Sequence, residues 1–115
     1  MKRALFDRKI ADKITKGYKP QEVKSLLGDV KEVDRFEYYY YPPGHKFPRE
    51  SKRLEKQPIE EVLSFLNDKF TESPDFFVEI HQKLYKSGKC EIIFRGMSTK
   101  GEITKLAVVS LRKPH

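Results

Sequence analysis

The sequence predicts an α+β fold with element order α-α-β-α-β-β-β, an antiparallel sheet with helices packed on one face. Three observations carry that expectation. Apolar residues recur at helical spacing in the first third and again over 58–70. The last forty residues alternate apolar and polar positions around a glycine turn. Proline and glycine punctuate the joins between these stretches.

Phe6, Ile10 and Ile14 recur every four residues, which predicts a short first helix closed by Gly17. Pro20 suits the first turn of a second helix, where its missing N–H would have no partner. Val23, Leu26 and Leu27 give that helix an apolar face, and Gly28 can stop it. Val33 to Tyr41 reads as a strand because aromatic side chains fit a pleated surface, and Pro42-Pro43-Gly44 ends it. Residues 42–57 read as a basic loop within a single domain spanning 1–115. Pro58 to Phe70 is the clearest helix. Ile59, Val62, Leu63, Leu66 and Phe70 share one face, with Glu60 and Glu61 in the first turn and Lys69 in the last, as the helix dipole favours. Thr71 to Asp75 reads as a loop.

The following hairpin has a register that can be argued. Lys86-Ser87-Gly88 fits a three-residue turn with Gly88 left-handed, which pairs Leu84 with Cys90, Gln82 with Ile92 and Ile80 with Phe94. The other face then pairs Lys83 with Glu91 and Glu79 with Arg95, opposite charges in both cases. The last strand, Ile103 to Arg112, is apolar on both faces, which places it centrally or under a cover.

Composition narrows the function classes. The chain has 115 residues and a net charge of +7, from 24 Lys and Arg against 17 Asp and Glu. No apolar stretch approaches the length of a membrane span, and Met1 to Arg8 is too charged for a signal-peptide core. Cys90 is the sole cysteine, so neither an internal disulfide nor a cysteine zinc site is expected, and a free thiol fits the cytoplasm. His45, His81 and His115 lack metal-ligand spacing, and no phosphate loop or dinucleotide fingerprint occurs. No cofactor is expected.

The positive charge is uneven: residues 1–30 carry +4, 42–57 carry +3 and 86–115 carry +5, whereas 58–70 carry −2. Such an excess attracts polyanions through counterion release. Tyr38 to Tyr41 lead into the basic loop, and alternation puts two of the four rings on the face away from the core. The first reading is therefore binding of nucleic acid, RNA or single-stranded DNA before duplex. Lys46, Arg49, Lys52 and Arg53 would hold phosphate, and Tyr39 and Tyr41 would stack on bases. The bland alternative is a solubilising surface with the phenols at its rim.

A second reading is a protein-interaction or regulatory module, an inhibitor or assembly subunit, that uses the apolar C-terminal strand for a partner or a second copy. A third is a metal-free ribonuclease. Glu79 and His81 alternate along one strand with Arg95 opposite, supplying a base, an acid and a cation for phosphate. Against it stands an exposed sheet face laced with ion pairs.

The residue types and fold class are similar to those of two groups of small basic ribonucleases, the barnase-like microbial enzymes and the RelE-type toxins that cut messenger RNA. That likeness is one of parts, not of strand order or motif spacing, and it implies only the ribonuclease reading. Separately, Gly17-Tyr18-Lys19-Pro20-Gln21-Glu22-Val23 to Leu27-Gly28, followed by Phe36-Glu37-Tyr38, resembles the helix-helix-strand opening of the small lipoprotein domain of outer-membrane assembly factors. It spans about a quarter of the chain. That family uses an export signal and a lipidated cysteine, neither of which is expected here, so the resemblance implies local shape alone.

Overall fold

A computed structural model describes residues 6–71 and 77–112, the stretch 6–16 as backbone only. The elements are β1 (Phe6–Lys16), α1 (Pro20–Leu27), β2 (Glu32–Tyr40), β3 (Glu50–Pro58), α2 (Ile59–Phe70), β4 (Phe77–Tyr85), β5 (Lys89–Met97) and β6 (Ile103–Arg112). The strands make one antiparallel sheet in the order β1-β4-β5-β6-β2-β3, so the class is α+β.

From Pro20 onward the expected order of elements holds, with one strand added. Two expectations are corrected. Residues 6–16 form a strand, not a helix, and pair with β4 through contacts such as Ile14 with Glu79 and Thr15 with Val78. The spacing that suggested a helix is ambiguous, because a separation of four is even and suits the period of a strand as well as that of a helix. The tertiary structure decides it, because the backbone of 6–16 joins the open edge of β4 in antiparallel register. Likewise the expected basic loop 42–57 is a loop only to Arg49, and Glu50–Pro58 is the edge strand β3, paired with β2. Charges on both faces hide it from a period-two reading, and lysines along an edge are how sheets discourage further pairing. The expected loop Thr71 to Asp75 lies, from residue 72 on, outside the described residues.

Other local expectations match. Pro20 opens α1, and Gly28 at φ 68° closes it while its N–H reaches the Lys24 carbonyl at 3.0 Å. Gly88 takes φ 95°, its N–H bonds the Tyr85 carbonyl at 2.9 Å, and the β4–β5 ladder pairs Leu84 with Cys90, Ile80 with Phe94 and Glu79 with Arg95. The last strand is central, flanked by β5 and β2.

The core follows from alternation. Phe36 and Tyr38 of β2, Val78 and Ile80 of β4, Cys90, Ile92 and Phe94 of β5, and Ala107, Val109 and Leu111 of β6 are buried together. Val62, Leu66 and Phe70 join them from α2 at the spacing of one helix face, as do Val23 and Leu27 from α1. Rings mark the contact. Phe70 lies 5.7 Å from Tyr18, 6.3 Å from Tyr38 and 6.4 Å from Phe94, and Phe65 lies 5.1 Å from Tyr38, edge to face. Lys105 is buried on this inner side of β6 and donates to the Lys69 carbonyl in the last turn of α2, satisfying a group the helix leaves open.

Candidate nucleic-acid interface

The residues between the buried ones point to the outer face, and the ladder registers arrange them in rows. One row runs Ser51, Tyr39, Leu106, Arg95, Glu79 across β3, β2, β6, β5 and β4. The next runs Arg53, Glu37, Val108, Ile93, His81 over the same five strands. Each row has an apolar middle and charged or hydroxyl-bearing ends.

The four tyrosines divide as alternation requires. Tyr38 is sealed in the core, whereas Tyr39 is half-buried on the outer face, donating its hydroxyl to Glu37 Oε1 at 3.2 Å. Partial burial, then the Glu37 carboxylate, push the Tyr39 phenol above its ordinary value, so the ring stays neutral. Tyr41 follows the end of β2, where its N–H bonds the Thr104 carbonyl at 2.7 Å. With Arg95, Ile103 and Leu106 it lines an open groove of about 360 Å³.

The expected phosphate ligands do not form one group. Lys46 and Arg49 are exposed in the β2–β3 loop, which is tied down where the Arg49 N–H meets the Tyr40 carbonyl at 2.8 Å. Arg53 is on the outer face, with Nε 3.9 Å from Glu37 Oε2. Lys52, one residue earlier, faces the other way and sets its ammonium 5.2 Å from the centre of the Phe65 ring. A strand separates neighbours by design, so residues adjacent in sequence serve opposite faces.

Sequence reasoning overlooked Phe47, which is 80% exposed between Lys46 and Pro48. Its signal was available: an aromatic residue within a proline-bounded loop, with no apolar partner at either period. Ile103, read from the sequence only as part of the last strand, is 44% exposed at the start of β6. Both belong to the end of the sheet where β2 finishes and β6 begins.

Glu79, His81 and Arg95 do come together. Glu79 Oε1 lies 2.9 Å from His81 Nε2 and accepts from Arg95 Nη1 at 3.1 Å. The His81 hydrogen bond first, then the charges of His81 and Arg95, lower the Glu79 carboxyl against the opposing effect of burial. For phosphoryl transfer the arrangement is poorly disposed. Base and acid must approach phosphorus from opposite sides, and two side chains in mutual contact approach from one. The trio instead holds Arg95 Nη1 against Glu79, with the Arg95 side chain at the wall of the groove.

Among the described residues no group of three His, Cys, Asp or Glu side chains is placed to hold a metal ion. Nor is any helix among them long and apolar enough to cross a membrane. Neither the models of protein families, nor the curated proteins, nor the solved structures give any match to this chain.

Proposed function

We propose that this protein binds nucleic acid, RNA or single-stranded DNA before duplex, in a reducing compartment where Cys90 remains a thiol. In this reading the helices pack on the inner face and leave the outer face open for bases, while Lys46 and Arg49 hold the backbone. One observation carries it: the part-exposed rings of Tyr39 and Tyr41 stand at the end of the sheet that bears the loop with Lys46, Phe47 and Arg49. Aromatic faces beside cations suit an unpaired strand, since stacking contributes ~1–3 kcal/mol per base and phosphate contacts add to it. The net charge of +7 adds long-range attraction.

A salt titration with a labelled single strand tests the reading. Affinity should fall linearly on a log–log plot as counterions are released. A flat response, or no binding at low salt, rejects it.

A second reading has its own observation. Ile93, Leu106 and Val108 make a half-buried apolar centre on the outer face, bordered by the Glu37–Arg53 and Glu79–Arg95 pairs. Such a patch also suits a protein partner or a second copy. Because β6 is paired on both edges, a partner would have to use its side chains rather than its backbone. A dimer insensitive to salt in sedimentation would favour this reading over the first.

A further inference from the structure

We propose that the groove between Tyr41, Ile103, Leu106 and Arg95 is a subsite for one unpaired base, with Arg95 holding the adjoining phosphodiester. The inference rests on the nucleic-acid reading and deepens it, replacing a general basic surface with a defined seat.

Shape and chemistry argue for that occupant. At about 360 Å³ the groove has the size of a small-ligand site. Three of its four walls, Tyr41, Ile103 and Leu106, offer flat or aliphatic surface, and the fourth is a guanidinium. A planar ring joined to an anion satisfies both kinds of wall. A purely aliphatic occupant would cover Arg95 without compensating its charge.

Arg95 is also held ready. Glu79 engages only Nη1, so the remaining N–H donors of a fork whose direction is already set can face a phosphate. Pre-set donors cost less side-chain entropy on binding. The path of a strand follows from the charges on either side. Beyond Arg95 stands the Glu79 carboxylate, which repels phosphate, whereas beyond Tyr41 the chain runs into the loop with Lys46 and Arg49. The backbone would therefore leave the groove toward that loop, where Phe47, 80% exposed, can take a second base.

The chain contains no tryptophan, so Tyr41→Trp places a single indole at the groove. Its emission should be quenched on adding a single-stranded oligouridylate, and much less on adding a duplex of equal length. In anisotropy titrations with the same oligonucleotide, Tyr41→Ala and Leu106→Asp should each weaken binding on the order of tenfold. Arg95→Gln should weaken it and flatten the salt slope by about one. Tyr85→Ala, on the outer face at the far end of β4, should leave binding unchanged. Salt-dependent binding that ignores all three groove variants, with no quenching, overturns the subsite and leaves the broader reading standing. No binding of any strand at low salt overturns both. A dimer dispersed by Leu106→Asp overturns the subsite too, and assigns the groove to a second copy.

Discussion

Arg95 and Glu79 face each other across the β4–β5 ladder, with Nη1 3.1 Å from Oε1. Because Glu79 also meets His81 at 2.9 Å, its carboxyl is held below the usual carboxylate range. A group depressed in this way stabilises the fold above its ordinary value and loses that effect as pH falls through the folded one. Glu79→Gln should therefore cost roughly 0.5–1 kcal/mol at neutral pH, the size of a part-exposed pair. The difference from the parent should disappear in acid. Urea denaturation at both pH values checks it; a cost that persists unchanged in acid would mean the pair contributes nothing electrostatic.

Lys52 lies over Phe65, whereas Lys46 and Arg49 stand exposed in the β2–β3 loop. Lys52→Ala removes a cation from over Phe65 and should lower stability by about 0.5–1 kcal/mol without changing affinity for a single strand. Lys46→Ala and Arg49→Ala should do the reverse, each reducing the salt slope by about one. Thermal melts and binding isotherms on the three variants read both effects. Equal loss of affinity at Lys52 would require a surface the fold does not bring together.

Phe70 joins α2 to Tyr18, Tyr38 and Phe94 and is completely buried. Phe70→Ala should cost about 3–5 kcal/mol, from lost transfer energy and the cavity left behind. Against the ~5–15 kcal/mol that holds most domains together, the variant should be largely unfolded at modest denaturant. Far-UV circular dichroism through a urea series measures this.

Lys105→Met should destabilise by about 1–2 kcal/mol, since the Lys69 carbonyl at the end of α2 loses a charged donor in a buried setting. The effect should be local. Hydrogen exchange in the last turn of α2 should accelerate more than in β5, and uniform acceleration would argue against a capping role.

Cys90 is fully buried on β5, with the Gln82 amide nitrogen 3.7 Å from its sulfur. Its thiol should resist a thiol-specific reagent under native conditions and react at the rate of unfolding in denaturant. Rapid native labelling would mean that β4 and β5 open readily.

The β4–β5 hairpin was legible in full because three local signals agreed: a glycine turn, an apolar face and opposed charges at matching positions. The α2 helix was equally legible, its apolar stripe packing on Tyr38 and Phe94 through Phe70, while Phe65, outside that stripe, also meets Tyr38. The two edge strands were not. In β1 a spacing of four serves a helix and a strand alike, and in β3 an edge position removes the need for an apolar face. Of the candidate site, the outer-face tyrosines could be expected from alternation, but Lys52 could not be parted from Arg53 while 50–58 read as loop.

By itself the sequence determined the positive charge, the apolar character of both faces of the last strand, and which residues share each face of the β4–β5 hairpin. Only the tertiary structure decided that β6 lies between β5 and β2, and so brought Arg95, Leu106 and Tyr39 into one row from three separate segments. The physical reason is range. Turns, caps and periodicity act over a few residues, whereas the order of strands is settled by which apolar faces and open edges find one another across the whole chain.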